Sequence, residues 1–550
     1  MNKQKNTRTV KNVKMHWLSG SSKLLVGVVF AVLVIFPLLR MFFYIDGESL
    51  HKILTNDIFF QAAKNSLVSG LIATMITLVI AYMLAMCVER SGIRLQGVWN
   101  TLLILPMLIP SISHGMGLIV LFGNNGLLTR FFKLDGNIYG MWGIVTGSVM
   151  YAFPVAFLMI KDILKYENQA PYKAADVLGI PRWRQFTGIT FPYLRKPLIS
   201  VIFAVFTMVV TDYGVPLMVG GKFTTIPVLM YQEVIGQLDF GRGAVYGVVL
   251  LIPAVIAFLF DLFNKDKGNT AFVIQKFTDK KNKIFRVAAY IFCGLVSLCV
   301  LFPIVSFVLL GFANNYPIDL SFTVKNVLKA LNMDAGSYLI NSIVIAALVS
   351  MLGVVISFVT AYFTARMKSM SSKLLHLIAI TSAAIPGIVL GLSYVITFKG
   401  SFVYGTIMIL VMVNMMHFIS SPYLMMYNSL SKINGNLEAV GKTLGIGRLR
   451  MIKDVFIPQS AATICEMAGY FFVNCMMTIS AVSFLATTDN KPVALMINQF
   501  EAQTQLECAA VVSLAILLVN LIFKLIIYWF KKSLSGKRMK RSIVMKEGTA

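Results

Sequence analysis

LGIPRWRQFTGITFP, Leu178 to Pro192, recurs as LGIGRLRMIKDVFIP, Leu444 to Pro458, at a constant offset of 266 residues. Leu178, Gly179, Ile180, Arg182, Arg184 and Pro192 match Leu444, Gly445, Ile446, Arg448, Arg450 and Pro458, and Ile189 meets Val455 conservatively. The same offset pairs Pro37 in VIFPLL with Pro303 in VLFPIV. Other landmarks recur with small insertions: Asn65-Ser66-Leu67 with Asn341-Ser342-Ile343, Ala81-Tyr82 with Ala361-Tyr362, and Ile109-Pro110 with Ile385-Pro386. A chain whose landmarks return once, in the same order, is one architecture written twice.

The composition says in which solvent that architecture lives. Of 550 residues, 57% are hydrophobic and only 13% charged, about half the charged share of a soluble domain. Apolar stretches near the length that crosses a bilayer, about 20 residues, fall at 23 to 45, 62 to 88, 101 to 122, 139 to 161, 197 to 219 and 243 to 263, and again at 287 to 312, 338 to 365, 374 to 397, 403 to 425, 461 to 486 and 507 to 530. The expected fold is therefore an all-α polytopic membrane protein, about twelve transmembrane helices as two tandem six-helix repeats. The expected domains are a basic tail (1–22), a first transmembrane domain (23–263), a basic linker (264–286), a second transmembrane domain (287–530) and a basic tail (531–550). Six is even, so both copies enter the membrane in the same sense and form a pseudo-dimer, with a solute pathway expected between the halves.

The net charge of +26 is explained by its placement. Lys3, Lys5, Arg8, Lys11 and Lys14 precede the first span; Lys265, Lys267, Lys276, Lys280, Lys281, Lys283 and Arg286 separate the halves; Lys531, Lys532, Lys537, Arg538, Lys540 and Arg541 follow the last span. All three segments fall on one side, whereas the other side has acidic or mixed loops such as Asp46-Gly47-Glu48. The positive-inside rule then places both termini in the cytoplasm and leaves no need for a nucleic-acid partner. The first apolar run is too long for a cleavable signal and lacks a small-residue cleavage site, so it is expected to remain as an anchor. The six cysteines have no CxxC spacing and indicate neither a disulfide framework nor a metal site.

Both copies of the repeated stretch lie between spans on the expected cytoplasmic side. In each, a short helix with small residues (Lys173 to Leu178; Ala439 to Leu444) meets a glycine suited to the left-handed C′ position that stops a helix. A second amphipathic stretch then leads to the proline before the next span. Gly441-Lys442-Thr443 imitates the end of a nucleotide-binding P-loop, but the glycine that such a loop needs five positions earlier is Asn436. No strand pattern precedes it, and the first copy has Ala175-Asp176-Val177 there. Lys442 is read as a surface charge, and Gly445, not Gly441, as the glycine on which the fold depends. No ATPase site is expected in this chain.

These loops resemble the EAA motif of binding-protein-dependent ABC importer permeases: a short helix with Glu-Ala-Ala, a glycine four positions after the second alanine, and a later proline. Ala174, Ala175, Gly179 and Pro192 match in the first copy, with Lys173 in place of the glutamate. In the second copy Gly445 and Pro458 match, Val440 and Gly441 stand at the alanines, and Glu438 lies one place before the glutamate position. The resemblance implies helices that dock, with Arg182, Arg184, Arg448 and Arg450, on two copies of a cytoplasmic ATPase subunit. It also implies an extracytoplasmic solute-binding protein, a small-molecule solute, a lipid environment in the cytoplasmic membrane and no resident cofactor. Double-length permeases of this kind serve ferric iron and 2-aminoethylphosphonate. The stretches 138 to 157, 209 to 223, 231 to 245, 385 to 394, 472 to 485 and 492 to 510 resemble the phosphonate group more, while LFGNNGLLT (121 to 129) is shared with the iron group.

A carboxylate inside a membrane is a candidate functional residue. Asp212, in TMVVTDYGVPLM, corresponds by the 266 offset to Thr478 in a stretch that also offers Asn474 and Ser480. A carboxylate from one half and neutral hydrogen-bonding groups from the other would suit an aminoalkylphosphonate; the alternative is that Asp212 steadies a broken helix near Gly214 and Pro216. His114 and His417 are expected to be hydrogen-bonded interior residues, and Pro106, Pro110, Pro154 and Pro386 to kink their spans. An ion-coupled secondary transporter that protonates Asp212 is the rival reading from another class, and it leaves the twin loops unexplained. No catalytic constellation or metal-ligand cluster is evident.

Overall fold

The computed structural model describes residues 22–133, 138–263, 283–367 and 369–547. The expected basic tail up to residue 21 and linker residues 264–282 lie outside the described residues, as do the side chains from 535 onward. What is described is helical apart from one small hairpin, Ala313–Asn315 with Asp319–Phe322.

Among the described residues, eight helices are long and apolar enough to cross a membrane: Ser22–Phe43, Asp57–Arg90, Met141–Lys165, Arg182–Val210, Phe240–Phe260, Lys283–Gly311, Ala335–Arg366 and Leu506–Leu534. Three expected spans are instead bent pairs: Gln96–Leu108 with Ser111–Phe132 (97°), Met370–Ala384 with Gly387–Phe398 (107°), and Ile407–Phe418 with Ser420–Ser431 (54°). Counting each pair as one span gives at most eleven. The two sharp bends sit at Pro110 and Pro386. A proline disfavours helical torsions in the residue before it, and Ile109 and Ile385 are extended (ψ 149° and 113°). The remaining stretch, expected at 461 to 486, is a helix only over Ile457–Met477, which carries the polar Gln459, Glu466 and Asn474.

The chain resolves into two compact units that cut across the sequence halves. One comprises residues 45–337 and 493–517, the other 1–44, 338–492 and 518–550. The first helix of each half thus belongs with the body of the other half, an arrangement that the sequence repeat did not suggest.

In the unit built on the first half, Ala73, Ala81 and Ala85 of Asp57–Arg90 and Ala152 and Ala156 of Met141–Lys165 are fully buried in one cluster. Small residues let helix backbones approach where lipid supplies no hydrophobic drive. Lys283–Gly311 joins this cluster through Ala289, Cys293 and Val300. Its Tyr290 hydroxyl accepts the Arg94 N–H at 2.7 Å.

In the other unit, the first helix packs on second-half elements. Pro37 has no N–H to offer the carbonyl four residues back, and a π turn over Ala31–Ile35 precedes it. That carbonyl, on Leu33, accepts the Tyr394 hydroxyl at 2.7 Å. Arg40 donates to Thr397 O (3.2 Å), and Lys23 to the hydroxyls of Ser369 and Ser372 (3.0 and 2.9 Å).

Candidate functional site

The repeated stretch builds the same local object in each unit. The first copy is a helix over Ala170–Val177, opened by an Asx turn in which the Ala170 N–H donates to Asn168 Oδ1 (3.1 Å). The second is a helix over Leu437–Thr443, opened likewise by the Asn436 N–H and Asn434 Oδ1 (2.9 Å). Both end in a Schellman turn. Gly179 has φ +68° and Gly445 φ +71°. The Ile180 N–H reaches back to Ala175 O (2.9 Å) and the Ile446 N–H to Gly441 O (2.8 Å), while Gly179 and Gly445 donate to Asp176 O and Lys442 O, both at 3.2 Å.

A short second helix follows, Arg182–Gln185 or Arg448–Met451, and then a π turn, Phe186–Thr190 or Ile452–Phe456. The π turn sits where Pro192 or Pro458 would clash with the carbonyl four residues before it; widening the turn lets one helix run on into the membrane.

The two loops expose the same kind of surface. Val177, Leu178 and Trp183 are 87%, 75% and 65% exposed, and Leu444 and Leu449 68% and 83%. Arg182 and Arg184 flank the first apolar knob, Arg448 and Arg450 the second, and Ala174 and Val440 are exposed beside them. The other small residue of each pair is buried: Ala175 packs inward, and so does Gly441. This corrects the reading that the fold depends on Gly445 and not on Gly441. A Cβ on Gly441 would lie 2.4 Å from Met451 Sδ. The first copy holds Gln185 at the Met451 position, which donates to Asp176 Oδ1 (2.9 Å) and Ile180 O (2.8 Å) and leaves room for the alanine. Gly441-Lys442-Thr443 closes a helix, whereas a P-loop opens one; the Gly441 carbonyl is spent on the turn.

The displaced glutamates now find their place. Arg366, the last residue of Ala335–Arg366, grips Glu438 through two bonds of 2.5 Å, donates to the carbonyls of Leu430, Ile433 and Asn434, and lies over the Phe456 ring (5.2 Å). In the other unit Arg90, the last residue of Asp57–Arg90, pairs with Glu167 and lies over the Tyr172 ring (5.5 Å). The Tyr172 hydroxyl in turn bonds to Glu167 and Thr190. By the 266 offset Glu167, Tyr172 and Thr190 stand where the second copy has Ile433, Glu438 and Phe456. An arginine, a carboxylate and an aromatic ring are preserved, but the carboxylate moves to the position of Tyr172 and the ring to that of Thr190. Arg90, Glu167 and Arg366 were missed in the sequence because no fixed spacing links them; terminal arginines on the two longest early helices were the available signal.

The pathway candidates lie at the bends. Asp212 receives the N–H of Val215 (2.9 Å) and bonds to the Gly214 N–H and the Ser111 hydroxyl. It thereby caps Gly214–Val219 and ties that helix to the residue after Pro110. In the other unit Ser480 lies against Gly387, the residue after Pro386: a Cβ there would stand 2.4 Å from Ser480 Oγ and 3.0 Å from His417 Nε2. Asn474 donates to Tyr470 O (2.7 Å) and Thr478 ends the helix through its N–H to Asn474 O (3.0 Å). Asp212 belongs to one unit and Asn474, Thr478 and Ser480 to the other. Among the described residues, no group of three or more His, Cys, Asp or Glu side chains is placed to hold a metal ion.

Each unit presents one glycine-stopped loop, and the repeat that builds them also matches a known family twice. Residues 78–265 and 353–536 match the family described as the binding-protein-dependent transport system inner membrane component. This chain belongs to that family. The ferric transport system permease protein FbpB of Actinobacillus pleuropneumoniae is 23% identical over 521 residues, 89% of this chain and 75% of that protein. The putative ferric transport system permease protein FbpB 1 of Haemophilus influenzae is 24% identical over 514 residues, 88% of this chain and 81% of that protein. A probable sulfate transport system permease protein, cysT of Helicosporidium, is 24% identical over 248 residues, covering 44% of this chain but 92% of its own length. One whole single-length permease thus corresponds to less than half of this doubled member. The chain is an ABC importer permease, a multi-span protein of the inner membrane.

Proposed function

We propose that this chain supplies both halves of the translocation pathway of an importer driven by two separate ATPase subunits, one docked on each repeated loop. The observation that supports this most directly is the twin knob: Val177, Leu178 and Trp183 in one copy and Leu444 and Leu449 in the other stand exposed between arginines. An apolar centre ringed by charge is the composition of a protein-docking patch. The Arg90–Glu167 and Arg366–Glu438 pairs tie each loop to a long membrane helix, so movement of the docked subunit is passed to the spans. Both termini and both loops face the cytoplasm, as the positive-inside rule requires, and an extracytoplasmic binding protein delivers the solute.

For the solute we favour 2-aminoethylphosphonate or a related phosphonate. The stretches around Asp212, around Asn474 to Ser480 and in 492 to 510 support this by their resemblance. Ferric iron is the second reading, favoured by the names of the two double-length relatives above. The test is a thermal-shift screen of the partner binding protein with both solutes, followed by uptake into proteoliposomes holding this chain and its ATPase subunits. Saturable uptake of the phosphonate supports the first assignment; uptake of ferric iron alone replaces it; proton-driven uptake without ATPase subunits overturns the importer mechanism.

A further inference from the structure

The docking loop of the second copy borders a cavity of about 780 Å³, lined by residues that include Asn428, Ser429, Lys432, Gln459, Thr463 and Glu466. This is within the size range of small-molecule sites, about 300–1,000 Å³. The cavity lies between Ser420–Ser431 and Ile457–Met477, and its edge is formed by Asn434, Leu437 and Pro458 at the ends of the loop.

The repeat supplies an internal control. At the 266 offset the first copy holds Ile163 for Ser429, Tyr166 for Lys432, Tyr193 for Gln459, Pro197 for Thr463 and Ser200 for Glu466. There the Tyr193 hydroxyl reaches across to Ile163 O at 3.2 Å, so an aromatic side chain bridges the two helices. The second copy replaces that bridge with a shorter amide, and Thr463 Oγ1 donates to Ser429 Oγ at 3.1 Å instead. The second copy thus lacks the aromatic bridge and holds Lys432 where the first has Tyr166, whereas the first copy places carboxylates, Asp162 and Glu167, at the positions of Asn428 and Ile433.

We propose that this cavity is a binding site for a small organic oxyanion. Its lining carries the Lys432 ammonium, which has no hydrogen bond or ion pair among the described residues, and a carboxylate, Glu466, that is already paired with Lys531. Lys531 lies outside the lining and meets the Glu466 charge, which leaves Lys432 as the lining's uncompensated charge, and the amides of Asn428, Asn434 and Gln459 with the hydroxyls of Ser429 and Thr463 supply neutral donors around it. Several donors converging beside a cation suit the oxygens of a phosphonate, phosphate ester or carboxylate. Only the side of the membrane that the site faces rests on the orientation proposed above; the ligand class follows from the lining.

The test is calorimetric titration of the purified full-length chain in lipid nanodiscs with 2-aminoethylphosphonate and with inorganic phosphate, using ethanolamine as the cationic control. Wild type is expected to bind an oxyanion saturably and ethanolamine not at all. Lys432→Ala, at an exposed position that folding does not need, should weaken binding about tenfold or more, the range of a lost charge-assisted bond. Gln459→Tyr, which restores the first copy's residue, should abolish it. Binding of the phosphonate alone would make the imported solute itself the ligand; equal binding of phosphate would make the site a general oxyanion site. Absence of saturable binding at millimolar concentration, or binding unchanged in both variants, overturns the proposal. Titration needs neither ATPase subunits nor binding protein, so failure of the importer reading and failure of this site register separately.

Discussion

A valine at Gly179 or Gly445 is the most direct test of the docking loops, because the structure separates backbone strain from crowding there. Each glycine has a positive φ, +68° and +71°, and a Cβ built on either meets nothing within 4 Å. The cost of a side chain is therefore torsional. Left-handed torsions cost an L-residue about 1–2 kcal/mol, and a β-branched residue sits at the upper end or above. About 2 kcal/mol per loop lowers the population of the correctly turned loop relative to its alternatives roughly thirtyfold, taking about 1.4 kcal/mol per tenfold. Asparagine matches valine closely in size but tolerates the left-handed region. Gly179→Val and Gly445→Val should each reduce binding-protein-stimulated ATP hydrolysis and uptake in proteoliposomes by about tenfold or more, with normal membrane insertion. The asparagine variants should keep most of the activity. Equal loss in the valine and asparagine variants would show that the left-handed turn is not what the loop requires, and normal transport by both valine variants would remove the coupling assignment altogether.

Glu438→Gln should loosen the second loop. The side chains of Arg366 and Glu438 are 6% and 26% exposed, so the loss lies between that of a surface pair and of a buried one, about 2 kcal/mol; protease susceptibility of the loop checks it, and Arg366→Lys should fail to substitute because it cannot grip both oxygens. Gly441→Val should impair transport by collision with Met451 and be partly rescued by Met451→Ala, whereas Lys442→Ala should leave nucleotide binding by the assembled complex unchanged. For Asp212 the asparagine and alanine variants divide the roles: Asn can still accept the Val215 N–H, so uptake that survives Asp212→Asn but not Asp212→Ala marks a helix cap, and loss in both, greater for an amine-bearing phosphonate than for an inorganic anion, marks a solute contact. Cys87 and Cys293 are buried in the same core cluster of one unit, and Cys87 is the one cysteine before the linker. Oxidation with copper phenanthroline should keep the two halves joined after cleavage at a protease site placed in the linker, and Cys87→Ser should release them; separation in wild type would refute the packing of Lys283–Gly311 on the first half.

Much of this protein is written in local pattern. Apolar runs of bilayer length, basic segments before, between and after the halves and a repeat at a fixed offset each act within a few residues or through the solvent. They determine a doubled helical membrane protein without reference to any distant contact. The turns at Gly179 and Gly445 were equally legible, since a C′ glycine answers to its own torsions and to carbonyls three to five residues back. The breaks at Pro110 and Pro386 were readable as kinks but not as bends of 97° and 107°, because a proline permits a bend and its neighbours set the angle.

Partner choice belonged to the tertiary structure. Glu438 looked out of register until Arg366 arrived at its side, and Glu167 had no visible role until Arg90 did; the carboxylate and the ring stand at different positions in the two copies because only their nearness to the arginine matters. Gly441 looked spare until Met451 folded over it. Asp212 read as either a solute contact or a residue that steadies a broken helix; its two backbone N–H partners are local, and packing added the Ser111 hydroxyl. The exchange of first helices between sequence halves left no mark in either copy. It depends on matches such as the Leu33 carbonyl, left open by Pro37, and the Tyr394 hydroxyl 361 positions away. Local conformation is decided by neighbours in sequence; a hydrogen bond or ion pair is decided by which groups come within reach, and only the packed chain determines that.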